Sequence, residues 1–244
     1  MARDRILFDH IAIGLERMAD APRVLVGALG GVPDEGAPSR EFNWGCWRFH
    51  GGGRIEIIEP RGDEGFLHRF LAQRGPGIHH VTFRVESLSE ACAHAEAHGY
   101  KIVGYDDSHT DWKEAFLHPK QAQGIVVQLA EGDDSDAPRR WQPPPGPANP
   151  PPPVTVLGLR VRALSRERAR TQWKVVLRGE AEDASSGVIY RWPDSPMRIA
   201  VEIDPAREEG PVCIEFASDR AISFPDGRHR ALAAAFAQVR RTGR

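Results

Sequence analysis

The sequence predicts an α+β fold in which tandem βαβββ units form a curved, cleft-forming mixed sheet, followed by a third, degenerate βαβββ unit. Three observations predict it. FDHIAIGLERMADAPRVLVGALGGV near the start and IHHVTFRVESLSEACAHAEAHGYKI further on share one order of strand, turn, helix, turn. Each copy closes on a short apolar strand, GRIEIIEP in the first and GIVVQLAE in the second. His10 and His80 are 70 residues apart and Glu56 and Gln128 are 72 apart, so the spacing is nearly constant and marks a duplicated unit.

In the first copy, DHIAI alternates as a half-buried strand does. A helix of about a dozen residues follows, opened by Asp20 and Pro22 as cap and first-turn proline and stopped at Gly30 and Gly31. NWGCWRF and RIEII are strands, with His50 in the glycine-rich turn between them. In the second copy, HHVTFRV is the strand, Ser87 or Ser89 caps the helix, and Gly99 ends it. AFLHPK and IVVQL give the closing strands. The tract GDDSDAPRRWQPPPGPANPPPP is acidic, then proline-dense, and reads as an extended, semi-rigid linker. Beyond it, VLGLRVRALSRERARTQWKVVLRG reads strand, helix, turn, and GVIYRWP, MRIAVEI and VCIEFAS read as strands. The expected organisation is a module at 1–131, a linker at 132–153, and a degenerate unit with a C-terminal helix at 154–244.

Composition bounds the function. A formal charge of −2 argues against a nucleic-acid partner. No apolar run is long enough for a membrane span, and MARDRILFDH lacks the pattern of a secretory leader. Cys46, Cys92 and Cys213 lack metal-ligand spacing and leave one thiol over from pairing, which predicts a cytoplasmic protein.

Strand alternation then sorts the side chains. Ile11, Ile13, Ile55, Ile57, Val81, Phe83, Val85, Val127 and Leu129 take one face. His10, Glu56, His80 and Gln128 take the other, with Thr82 and Arg84 beside them. Two imidazoles, a carboxylate and an amide oxygen suit one divalent metal ion, and the set leaves cobalt, manganese, nickel, zinc, iron and magnesium open. His79 points with the apolar set and reads as packing. His118 and Lys120, after a strand, are candidates to meet an anionic group of a small-molecule substrate. Trp112, in the loop YDDSHTDWKE with His109 and Asp111, is a candidate for substrate selection, and Trp47 for aromatic contact with substrate. The position matching His10 in the third unit is Gly158, and Glu215 matches Glu56 only by pattern. An odd number of units suggests a homodimer.

These motifs resemble the vicinal oxygen chelate superfamily of glyoxalases, bleomycin-resistance proteins and dioxygenases, and most of all its methylmalonyl-CoA epimerases. FDHIAI, IEIIEP, GIHHVTFRV and EAFLHPKQAQGIVVQLAE carry the likeness, over roughly residues 5 to 131. The resemblance implies a U-shaped sheet around a divalent metal held by His10, Glu56, His80 and Gln128, and a metal-dependent isomerase or lyase acting on a carbonyl or acyl-thioester substrate. Glu56 would then be the catalytic base. The family carries glutamate at the fourth ligand position, where this chain has Gln128, and a base on the third strand, where NWGCWRF offers no carboxylate. The alternative readings are a non-catalytic, resistance-type small-molecule binder and a non-haem iron dioxygenase.

Overall fold

The computed structural model describes residues 5–132, 141–185, 187–224 and 230–239; parts of the linker and of the basic C-terminal stretch lie outside them. The first repeat runs β1 (Ile6–Gly14), α1 (Pro22–Leu25), β2 (Val32–Pro38), β3 (Phe42–Arg48) and β4 (Arg54–Pro60). A helix, α2 (Phe66–Arg74), leads to the second repeat: β5 (Gly77–Val85), α3 (Leu88–Ala97), β6 (Ile102–Asp106), β7 (Trp112–Leu117) and β8 (Val126–Gly132). The eight strands form one mixed sheet in the order β2-β3-β4-β1-β5-β8-β7-β6. Each repeat pairs its first and last strands in parallel, Ile11 with Ile55 and Val81 with Val127 among the register partners.

The two helices that were expected differ in length. α3 spans ten residues, begins where Ser87 Oγ accepts from the Glu90 N–H at 3.3 Å, and ends before Gly99, whose φ of +84° favours glycine. α1 spans four residues rather than a dozen, with Pro22 in its first turn. Gly27, Gly30 and Gly31 fall where further turns would need helix formers, at about 1 kcal/mol each relative to alanine. Asp20 does not cap it; its carboxylate bonds Arg17 at 2.8 Å.

A second sheet holds the remaining elements. It contains β9 (Thr155–Ala163), α4 (Arg166–Ala169) continuing into a π-turn at Arg170–Val176, β10 (Glu180–Ala184), β11 (Gly187–Arg191), β12 (Arg198–Ile203), β13 (Gly210–Ala217), β14 (Arg230–Ala231) and β15 (Ala234–Gln238). Its order is β10-β11-β12-β9-β13-β15-β14. Two sequence expectations are corrected here. VCIEFAS does not close the third unit, because β10 supplies the strand before GVIYR, and β13 instead pairs in parallel with β15, Ile214 opposite Phe236. The described part of the C-terminal stretch is strand rather than helix: pairing buries Ala234 and Phe236 alternately and overrides the helix propensity of its alanines. β13 and β15 extend the second sheet beyond the strands of the third unit.

The chain divides into two compact units. One comprises Met1–His10, His80–Asp136 and Gly158–Val212; the other comprises Ile11–His79, Ala137–Leu157 and Cys213–Arg244. The division passes through β1 and β5, between His10 and Ile11 and between His79 and His80. Within the second unit, the proline-rich tract is bonded to the first repeat: the Val154 N–H donates to Leu29 O at 2.9 Å and the His50 N–H to Val154 O at 3.0 Å. Trp141 of the tract packs edge-on against Trp47, ring centroids 5.3 Å apart. Cys46, Cys92 and Cys213 are buried. Among the described residues, no helix is long and apolar enough to cross a membrane.

Candidate metal centre

Register fixes which side chains share a face. Ala12 is the partner of Glu56, and His10 stands two residues before Ala12, so His10 and Glu56 face the same way. Thr82 is the partner of Gln128, and His80 stands two residues before Thr82. The opposite face carries Ile11, Ile13, Ile55, Ile57, Val81, Phe83, Val127 and Leu129, each at most 1% exposed. His10, Glu56, His80, Thr82 and Gln128 are also buried, none above 8% exposed. Polar groups removed from water need partners, so this face is a built polar site rather than a solvated one.

His10, Glu56 and His80 each offer a ligand atom, and these atoms lie within 4.8 Å of one another. Metal bonds of about 2.0–2.2 Å place ligands roughly 3–4 Å apart, so a small rotamer adjustment closes the set on an ion. The His10 and His80 rings stand edge to face at 5.8 Å. His10 Nδ1 lies 2.6 Å from Asp9 Oδ2, which assigns the Nδ1–H to that carboxylate and turns a lone pair at Nε2 into the site. Nε2 lies 2.8 Å from Thr82 Oγ1, which also donates to Gln128 Oε1 at 2.6 Å. Thr82 has one hydroxyl proton for two acceptors. A cation on His10 Nε2 removes that competition, and the residues present fit a divalent ion on these grounds.

Gln128 is held from both ends. Its Oε1 accepts from Thr82, and its Nε2 donates to Glu114 Oε2 at 2.6 Å. The Trp112 indole N–H donates to the same Glu114 oxygen at 3.1 Å. Glu114 and Asp9 are absent from the sequence-derived site. Glu114 follows from the register: Phe116 is the partner of Gln128, and alternation from Phe116 places Glu114 on the same face. Nothing in the sequence pattern marked Asp9, which adjoins His10 in a strand whose neighbours point apart.

The remaining candidates fall in different places. The structure puts Trp47 on the face away from Glu56, because its partner is Ile55 while Cys46 is the partner of Glu56; Trp47 is fully buried against Trp141. Arg84 donates to the Gly132 carbonyl beyond Gln128 on β8. His118 Nδ1 accepts from the Lys120 N–H at 3.2 Å in the turn after β7, and Lys120 lines a surface hollow with His98, Tyr100 and Arg168. His79 packs on Phe66 and Phe70 of α2, at 5.4 and 4.7 Å between centroids. Burial, and then the Arg74 charge, lower its pKa to about 4.

Comparison with known proteins bears on the family and the fold. Residues 9–116 match the model of the Glyoxalase/Bleomycin resistance/Dioxygenase superfamily. An uncharacterised protein of Bacillus subtilis, YqjC, is 29% identical over 127 residues, 50% of this chain and 90% of that protein. The ethylmalonyl-CoA/methylmalonyl-CoA epimerase of Cereibacter sphaeroides is 27% identical over 131 residues, 50% of this chain and 96% of that protein. A mutant 4-hydroxymandelate synthase from Streptomyces coelicolor shares the fold over 89% of this chain and 72% of its own, with a TM-score of 0.58 and 12% identity.

Proposed function

From a chain whose residues 9–116 carry a glyoxalase/bleomycin-resistance/dioxygenase superfamily domain, with epimerase relatives, we propose a metal-dependent isomerase or lyase that moves a proton next to a carbonyl or acyl-thioester group. The observation that carries this reading is the arrangement of His10: it offers a ligand atom to the set formed with His80 and Glu56, and Asp9 at its Nδ1 leaves Nε2 as the nitrogen that would bind. In this reading His10, His80 and Glu56 hold the ion, with Gln128 Oε1 as a further donor oriented by Thr82. A divalent ion bound there polarises a carbonyl oxygen and offsets the charge that develops on it, worth several kcal/mol. Burial of the surrounding face excludes water and keeps those interactions strong. An amide at position 128 favours a second reading, a small-molecule binder without catalysis.

The experiment is elemental analysis of untagged full-length protein, wild type beside His80→Ala, followed by solvent-deuterium exchange into acyl-CoA thioesters and α-hydroxy ketones. Near-stoichiometric metal lost in the variant, with wild-type exchange, supports the enzyme. Metal without exchange favours the binder. A protein that takes up no divalent ion even after reloading sinks the metal-dependent reading.

A further inference from the structure

The family resemblance implies a carboxylate at the position of Gln128, and an amide does not accept a proton usefully. A carboxylate nevertheless stands at that point of the face. Glu114 on β7 lies 2.6 Å from Gln128 Nε2 through its Oε2, and the same oxygen accepts from the Trp112 indole at 3.1 Å. From Glu114 a run of polar groups at hydrogen-bond distance passes through the Gln128 amide and the Thr82 hydroxyl to His10 Nε2. Glu114 is half-buried, whereas Thr82 and Gln128 are buried, so part of its side chain stays accessible to a substrate.

Resting on the function proposed above, we propose that Glu114 is the catalytic base for a substrate with an acidic C–H next to an acyl thioester or ketone carbonyl, with Trp112 and Gln128 as the groups that aim it. The step balances without an external oxidant or reductant. The Glu114 carboxylate takes the α-proton and becomes the acid. The C–H electron pair becomes the carbon–carbon π bond of an enolate, and the carbonyl π pair moves to oxygen. Returning a solvent-exchanged proton to the same carbon regenerates the carboxylate and leaves the substrate labelled; delivering the proton to a neighbouring atom of the enolate leaves it isomerised. Glu56 is left to its place beside the histidines, and one residue is not asked to be both ligand and base.

The test uses full-length protein reloaded with cobalt or manganese, comparing wild type, Glu114→Gln and Glu114→Asp. Three quantities are read: metal content, calorimetric binding of methylmalonyl-CoA and of short branched acyl-CoAs, and deuterium wash-in to those thioesters. In Glu114→Gln, metal content and thioester affinity stay within about threefold of wild type while wash-in falls by roughly 10²–10⁴-fold, the usual contribution of a placed base. Glu114→Asp, a carboxylate set back by one methylene, retains measurable wash-in and decides the matter should Glu114→Gln not fold. Undiminished wash-in in Glu114→Gln overturns the inference alone. Loss of metal in proportion to loss of wash-in also overturns it, since Glu114 would then act only by orienting Gln128. A metal-loaded wild type that exchanges none of the thioesters overturns the functional reading and this inference together.

Discussion

Thr82 Oγ1 donates to Gln128 Oε1 across a 2.6 Å hydrogen bond, between two residues that are register partners on β5 and β8. The same hydroxyl lies 2.8 Å from His10 Nε2, so a single buried O–H ties both histidine-bearing strands to the amide. Thr82→Val keeps the shape and deletes the hydroxyl. In the metal-free protein the two acceptors lose the one donor they share, and about 1–3 kcal/mol of stability goes with it. With an ion held on His10 Nε2, as proposed, the loss is smaller. The gap in melting temperature between chelator-treated and metal-loaded protein should therefore widen in the variant. A gap equal to the wild type's would mean that the hydroxyl does not stand in for an ion.

His79 provides a pH signature. Its pKa is lowered to about 4 by burial and by Arg74, against an ordinary 6.5. Between those values the unfolded chain binds a proton that the folded chain does not. Stability therefore rises with pH from about 4 to 6.5 and is independent of this group above that. At roughly 1.4 kcal/mol per unit, and allowing for partial exposure, His79 costs the fold on the order of 2–3 kcal/mol on acidification to pH 4. His79→Phe, packed on Phe66 and Phe70, should remove that component. Urea unfolding at pH 7 and pH 4.5 gives the comparison: the drop between the two is smaller in the variant, and an unchanged drop excludes His79 as its source.

The duplicated unit and the polar face were legible because strand alternation survives in sequence. Ile11, Ile55, Val81 and Val127 lie on the buried face where a period of two puts them. Glu114 was missed because a carboxylate was sought on β3, in NWGCWRF, and not on its counterpart β7. α2 escaped notice although Phe66, Leu67, Phe70 and Leu71 have helical spacing, because it lies between the repeats. The C-terminal strand was illegible locally: LAAAF favours helix, and only pairing with β13 decides it. Trp47 read as a cleft residue because its face depends on the register of β3 against β4, and one residue of slip reverses every side chain.

Gly45 has no room for a side chain. A Cβ there would lie 2.2 Å from Trp141, and its nearest neighbours are all atoms of that indole. Gly45→Ala should destabilise by about 1–3 kcal/mol, the usual cost of overpacking. Trp141→Ala opens a void over Trp47 and should cost a similar amount or more. The two changes share one contact, so they are not additive. Adding Gly45→Ala to Trp141→Ala should cost much less than adding it to wild type. Denaturant unfolding of the four proteins measures the coupling, and additive costs would show that the tract does not lie on β3 in solution.

Asp9 gives the sharpest test of the site's electrostatics, because it touches the proposed ligand His10 and is not itself in the set of His10, Glu56 and His80. Its Oδ2 lies 2.6 Å from His10 Nδ1 and fixes which nitrogen carries the proton. Asp9→Asn keeps the size but admits the opposite tautomer, with the amide donating to Nδ1 and the proton moved to Nε2. That tautomer presents an N–H to the ion. Outer carboxylates of this kind are worth about 10–100-fold in metal affinity. Competition titration with a chromophoric chelator should show a drop of that size for Asp9→Asn. His80→Ala, which removes a ligand outright, should lose more. Equal affinity in wild type and Asp9→Asn would mean that His10 does not bind through Nε2, and the set with Glu56 and His80 would then need another explanation.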